Sequence, residues 1–298
     1  MLNKIIVATM PLVPKSIVHI FAKKYIAGDT LNHAVEDARK IEAEGGMTTI
    51  DVLGEFVDNK ERAIHETGDS LKVVDAIHEH KLTTYLSLKP TSLGLGINEE
   101  FGYENIKSVV EKAQKLNIRV RLDMENSPFT TKTLNLYKRL RDEGFDNVGT
   151  VIQSYMRRSE DDIKDLLPYK PNIRLCKGIY KEAPEVAFQE KEEVRDNYKI
   201  LLRLLMDNNC YTGIATHDDP LIDDAREYLK ENNISKDKYE FQVLLGVREP
   251  KRRELIKEGH PLRVYVPFGE DWYGYSTRRL KENPDMVGHI VKAIFSRK

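Results

Sequence analysis

The 298-residue chain carries 47 Lys and Arg against 48 Asp and Glu, a formal net charge of -1, and 40% of its residues are hydrophobic. That balance excludes the strongly basic face a nucleic-acid partner requires, and the hydrophobic share excludes a disordered chain. No run reaches the roughly 18 apolar residues of a membrane-spanning helix. The opening Met1 to Pro11 has one lysine and too short an apolar stretch for a signal peptide, so a cytoplasmic protein is expected.

In chain order, Pro14 to Gly45 reads as one or two helices preceding the first strand. Short β-branched or apolar runs then alternate with longer charge-rich stretches, the pattern of βαβ units around a parallel sheet. The runs are Thr48 to Leu53, Thr83 to Leu88, Ile118 to Met124, Val148 to Tyr155, Ile173 to Gly178, Thr212 to His217, Tyr239 to Leu245 and Leu262 to Pro267. Eight such runs predict an α/β fold, a (β/α)8 TIM-type barrel with extra N-terminal helices. The helical stretches include Ser70 to His80, Tyr103 to Leu116, Lys132 to Glu143, Pro184 to Asn208, Pro220 to Glu231, Pro250 to Glu258 and Trp272 to Lys281, with a last helix over Asp285 to Phe295. Several open with Asp, Ser, Thr or a first-turn proline. The mixed charges of Glu190 to Asp196 read as a solvated outer face. No linker interrupts the chain, so 1-298 is expected to be one domain, with 1-45 a helical extension and 46-298 the barrel and its C-terminal helices. Cys176 and Cys210 lack metal-ligand spacing and are expected to be buried free thiols.

Barrel active sites form at the C-terminal ends of the strands. Those positions carry Asp51, Glu55, Ser87, Lys89, Asp123, Glu125, Gln153, Tyr155, Arg174, Lys177, Thr216, His217, Asp218, Gln242 and Tyr265. Each one alone can cap a helix or pair with a neighbour, but their convergence points to chemistry. One strand-end histidine is too few for a catalytic metal, so no metal site is expected. No serine sits on a nucleophile elbow, and no GxGxxG opens a helix after a strand. Lys89 and Lys177 stand where a barrel lyase would place an imine-forming amine, which keeps that enzyme class open. A barrel that binds an anion or a flavin without turnover is the non-enzymatic alternative. On the eighth helical stretch Tyr275, Arg278, Arg279 and Glu282 share one face. Two guanidiniums there can fork onto a carboxylate, with Glu282 holding Arg278; the alternative is a surface ion pair worth about 0.5 kcal/mol. Spacing does not choose between the two.

Several ordered segments resemble the proline dehydrogenase family over nearly the whole chain: Arg174 to Tyr180, Thr216 to Asp218, Phe241 to Gly246, Arg263 to Gly269 and Tyr275 to Glu282. Val13 to Lys15 with Ala27-Gly28, Leu53 to Glu55, Ser87 to Pro90 and Arg121 to Glu125 agree. The resemblance implies FAD-dependent oxidation of L-proline to Δ1-pyrroline-5-carboxylate, with electrons passed to a quinone through a peripheral encounter with the inner face of the membrane. It implies that Lys89, Arg278 and Arg279 bind the proline carboxylate, and that Tyr180, Leu244, Tyr265 and Tyr275 wall the ring. Lys89, Arg174 and Asp123 would form the catalytic set, Arg174 against the flavin's reactive edge and Asp123 orienting its basic neighbours. Gln153, Arg174, Lys177, Thr216, His217 and Glu282 would contact the cofactor. One departure is Ile179, where the family usually has alanine beside the ring pocket.

Overall fold

A computed structural model describes residues 24-273 and 275-276. Among these, eight strands pair in parallel in chain order, and the last returns to the first to close a barrel: β1 (Met47–Val52), β2 (Thr84–Leu88), β3 (Val120–Leu122), β4 (Val148–Gln153), β5 (Asn172–Cys176), β6 (Tyr211–Ala215), β7 (Tyr239–Leu244) and β8 (Leu262–Phe268). The closing register sets Thr49 beside Tyr265 and Asp51 beside Pro267. All eight predicted runs are strands. β3 is shorter than expected, although the Asp123 amide still donates to the Leu88 carbonyl at 2.8 Å.

The helices are α1 (Leu31–Ala43), α2 (Lys60–Glu79), α3 (Glu99–Lys115), α4 (Ser127–Asp142), α5 (Ser159–Leu166), α6 (Lys191–Asp207), α7 (Asp219–Glu231) and α8 (Glu249–Lys257). Their starts have local causes. Asn59 and Asn98 accept from the amides of Arg62 and Phe101, capping α2 and α3, and prolines sit in the first turns of α4, α7 and α8. The helix expected over Ser70 to His80 begins at Lys60. Its first half buries Glu66, Thr67 and Ser70 in place of aliphatics, which hides the period; the hydroxyls of Thr67 and Ser70 are satisfied by carbonyls four residues back. The stretch expected to be helical from Pro184 begins at Lys191. Before it the chain folds back, with the Phe188 amide donating to the Tyr155 carbonyl at 2.8 Å and Met156 bridging Ala187. The N-terminal helices expected over Pro14 to Gly45 are represented by α1; residues 1-23 lie outside the described residues, as do the last helix expected over 285-295 and residues 277-281 of the one before it.

Strand side chains alternate between the two faces of the barrel wall. Outward-facing Ile50, Leu86, Val120, Ile173, Ile214 and Val264 are buried against the helix ring, each contributing about 1.5–3 kcal/mol. The inward face differs from the aliphatic filling common in such barrels: Arg121, Arg174, Glu240, Gln242 and Arg263 are buried there. Charge so placed must be paired or fully hydrogen-bonded: the Arg263 Nε donates to Glu240 Oε1 at 2.7 Å, and Arg121 Nη1 donates to the Thr150 and Asn172 carbonyls at 2.7 and 2.6 Å. At the C-terminal end of the strands, residues 24-28 cross the rim. The Ala27 amide donates to the Pro267 carbonyl at 2.9 Å, and Tyr25 and Ile26 pack with Leu53 and Tyr275.

Candidate functional site

A cavity of about 880 Å³ opens at the C-terminal ends of the strands, within the size range of small-molecule and cofactor sites. Its floor is a knot of charge. The Lys89 ammonium reaches both oxygens of Asp51, at 2.6 and 2.7 Å, and lies 3.5 Å from the Tyr265 hydroxyl. That hydroxyl donates to Asp123 Oδ2 at 2.8 Å, while Arg174 Nη1 and Ser87 Oγ donate to Asp123 Oδ1 at 2.6 and 2.7 Å. One carboxylate thus orients a guanidinium, a phenol and a hydroxyl from three different strands. The Arg174 guanidinium also lies 5.1 Å from the Tyr265 ring centre.

Burial acts to lower the Lys89 pKa, but the carboxylates of Asp51, Asp123 and Glu125 outweigh it and hold the value above that of an ordinary lysine. Lys89 is therefore a fixed cation. Two of its three donors go to Asp51 and the third makes only a long contact with the Tyr265 hydroxyl, at 3.5 Å. An imine-forming lysine must be neutral to attack, so this clamp counts against the lyase reading at Lys89. Burial likewise raises the Glu125 carboxyl, whose oxygens accept from the amide and hydroxyl of Thr91. It also raises the Tyr265 phenol, with Asp123 and Asp51 adding to the effect.

A second cluster stands at the other end of the cavity. Asp218 accepts from Lys177 at 2.9 Å and from Arg195 Nη2 at 2.8 Å. Leu244 N–H donates to His217 Nε2 at 3.0 Å, which assigns the proton of a neutral ring to Nδ1. Arg248 donates to the His217 carbonyl at 2.6 Å. Although burial raises it, the Asp218 carboxyl is held below its ordinary value by Arg195 and Lys177. A depressed folded pKa means that the stabilisation is present above the unfolded value and is lost as pH falls through the lower folded one. The expected result is that Asp218→Asn lowers Tm at neutral pH but converges on the parent below about pH 4, as followed by calorimetry across pH.

The described residues given substrate, catalytic or cofactor roles, Lys89, Asp123, Gln153, Arg174, Lys177, Tyr180, Thr216, His217, Leu244, Tyr265 and Tyr275, line this one cavity; of the other strand-end residues Glu55, Glu125, Asp218 and Gln242 line it, whereas Asp51, Ser87 and Tyr155 do not. Arg278, Arg279 and Glu282 lie outside the described residues. Ile179 lines the cavity and is 49% exposed at its rim. The cavity also takes in Lys191, Arg195 and Arg248, which sequence reasoning did not single out. The expectation that Glu190 to Asp196 is wholly a solvated face is corrected at Arg195. Because α6 starts at Lys191, its first turn sits at the cavity mouth, and the Arg195 side chain is only 15% exposed. The available signal was the Glu190/Glu193 capping box, which marks the true start of the helix.

Gln153 supplies a test of what the cavity holds. Its Nε2 donates to the Met124 carbonyl at 3.1 Å, while its Oε1 is buried without a hydrogen-bond partner. Such an oxygen costs about 1–3 kcal/mol unless a donor meets it, and it calls for a ligand N–H. Gly178, at φ +106, lets the chain pass the Tyr155 ring at a distance where a Cβ would stand 2.1 Å from it. That tight turn leads into the rim residues Ile179 and Tyr180.

Comparison with known proteins adds three findings. The family described as proline dehydrogenase matches residues 34–291. The chain is 42% identical over 275 residues to proline dehydrogenase 2 of Bacillus subtilis, covering 92% of this chain and 90% of that protein, and 35% identical over 277 residues to proline dehydrogenase of Deinococcus radiodurans, covering 92% and 89%. The crystal structure of proline utilization A from Bdellovibrio bacteriovorus, inactivated by N-propargylglycine, superposes with a TM-score of 0.81 at 25% identity, over 88% of this chain and 32% of that longer one.

Proposed function

Since this chain belongs to the proline dehydrogenase family and is an enzyme that oxidises proline in proline catabolism, we propose that FAD takes up the hydride, that the product is Δ1-pyrroline-5-carboxylate, and that a membrane quinone receives the electrons. The family is flavin-dependent in general. The observation that carries the reading is the floor of the cavity, where Lys89 and Arg174 are held as cations around Asp51, Asp123 and Tyr265. A small amino acid needs such a fixed cation for its carboxylate, and a buried one discriminates against ligands without a carboxylate.

Within this reading Lys89, with Arg278 and Arg279, holds the carboxylate, while Tyr180, Leu244, Tyr265 and Tyr275 wall the pyrrolidine ring. Gln153, whose Oε1 is buried and lacks a donor, would help hold FAD, together with Lys177, Thr216, His217 and Glu282. Bound FAD supplies the hydride acceptor. The protein's part is placement and exclusion of water. The substrate aminium would lose its proton to solvent on entry, before water is excluded, favoured by the cations around it. The nitrogen lone pair then forms the C=N bond as hydride leaves the adjacent ring carbon. Asp123 keeps Arg174 and Tyr265 in register during that step. Among the described residues no helix is long and apolar enough to cross a membrane; the peripheral encounter with a membrane quinone rests on the family alone.

An anaerobic absorption spectrum of the purified protein, before and after L-proline, tests this. Bands near about 450 nm that bleach on addition are the expected result. A preparation that stays unreactive to proline after FAD is supplied overturns it and returns a lysine-based lyase, centred on Lys177, to consideration.

A further inference from the structure

Behind Arg174 the barrel interior holds a chain of hydrogen bonds that the proposed chemistry does not use. Arg174 Nε donates to Gln242 Oε1 at 2.7 Å, and Gln242 Nε2 donates to Glu240 Oε1 at 2.6 Å. Glu240 is anchored in turn by Arg263 Nε at 2.7 Å and by the Tyr211 hydroxyl at 2.8 Å. Glu240 and Gln242 are both buried and lie two residues apart on β7, so they project into the barrel one above the other.

The two ends of this chain are chemically unlike. A guanidinium only donates, and an ionised carboxylate only accepts. The amide between them therefore has one satisfactory orientation, oxygen toward Arg174 and nitrogen toward Glu240. The partner strand makes room for it: a Cβ on Gly213 would stand 2.3 Å from Gln242 Nε2. Asp123 grips the guanidinium at Nη1 while Gln242 grips it at Nε. Two acceptors on different nitrogens remove the rotation that one would leave.

We propose that Gln242, oriented by Glu240, is a positioning residue that fixes the plane of the Arg174 guanidinium at the cavity floor. The proposal rests on the reading above for the role of Arg174 in proline oxidation. Gln242→Met removes the amide at similar volume and leaves the Glu240–Arg263 pair in place.

The first readout needs neither flavin nor proline: the Nε–H resonance of Arg174 in the 15N-arginine-labelled apoprotein, assigned by its disappearance in Arg174→Lys. It is expected to be protected from exchange in the parent and unprotected in Gln242→Met. In the holoenzyme, Gln242→Met is expected to lower kcat about tenfold with KM within about threefold, and to cost less than about twofold in an Arg174→Met background. Gly213→Ala, which crowds Gln242 without altering a hydrogen-bonding atom, is expected to reproduce both effects. Protection that survives Gln242→Met, or equal losses in both backgrounds, overturns the proposal. A parent enzyme that fails to oxidise proline overturns the functional reading instead, and the Nε–H comparison still decides whether Gln242 holds Arg174.

Discussion

Lys89→Met is expected to lower kcat/KM for L-proline by about a hundredfold to a thousandfold, with the binding of the FAD proposed above unchanged. The magnitude follows from what the lysine does. Truncating one member of a desolvated, hydrogen-bonded charge pair costs about 2–5 kcal/mol in binding, much of it from the charge left behind. The Lys89 side chain is 11% exposed and that of Asp51 is 1% exposed, so water does not replace the lost partner. Asp51 responds by taking up a proton, because burial already pushes its carboxyl upward and Lys89 is the main group opposing this. The cavity then lacks the fixed cation that follows β2. Steady-state kinetics with flavin content read from the visible spectrum measure the loss. The control is Lys89→Met with Asp51→Asn, which keeps position 51 neutral whether or not Asp51 is protonated in the single variant. Activity restored by the double variant would mean that the lysine serves only to neutralise Asp51; activity that stays low assigns it to the substrate. A raised Lys89 pKa also has a sign: its contribution to stability is complete below about pH 10.5 and lost only as pH climbs through the higher folded value. No limb of the pH–rate profile at neutral pH should therefore be attributed to it.

The second large effect is on stability. Arg263→Met is expected to lower the unfolding free energy by about 3–5 kcal/mol, which for a chain of this size is a fall in Tm of about 10 °C. Arg263 is 2% exposed and Glu240 0%. The guanidinium also donates to the Thr48 carbonyl at 2.6 Å and stacks 3.4 Å over the Tyr85 ring. Without it Glu240 remains a carboxylate in the barrel interior, supported by Tyr211 and Gln242 alone. In the parent, burial works against ionisation of Glu240, yet the pair with Arg263 leaves its carboxyl below the ordinary value. Its stabilisation is therefore present above about pH 4.5 and is lost as pH falls through the lower folded value. In the variant the sign reverses. The unpaired carboxyl is raised, and protonation relieves it, so the gap between variant and parent should narrow as pH falls toward 4. Urea unfolding at several pH values measures this. Arg263→Met combined with Glu240→Met should recover part of the loss, since a buried pair replaced by apolar groups is often neutral. A double variant as unstable as the single one would show that the Thr48 and Tyr85 contacts, and not the ion pair, carry the effect.

The order of elements and the closed barrel were legible in the sequence because the strands are short β-branched or apolar runs whose outward residues are mostly apolar. That pattern, in Ile50, Leu86, Val120, Ile173, Ile214 and Val264, is set by burial against the helix ring and needs no knowledge of the neighbouring strand. The strand-end residues could be nominated for the same reason, since a (β/α)8 topology sends the ends of all its strands to one face. Family resemblance then supplied roles for Lys89, Asp123 and Arg174. The helix starts were less legible. α2 hides its first turns behind buried Glu66, Thr67 and Ser70, and Arg195 reads as a surface charge until α6 is seen to begin at the cavity mouth.

What the sequence determined by itself is the alternation of apolar runs with charge-rich stretches: how many strands there are, and which side chains arrive at their C-terminal ends. What only the tertiary structure decided is pairing. Whether Lys89 meets Asp51, whether Arg174 is shared between Asp123 and Gln242, and whether Glu240 is neutralised by Arg263 depend on side chains 23 to 68 residues apart. Local patterns carry no record of such distances. Closure of the barrel brings these groups together in a medium where an unpaired charge is costly, and that cost selects which partner each one takes.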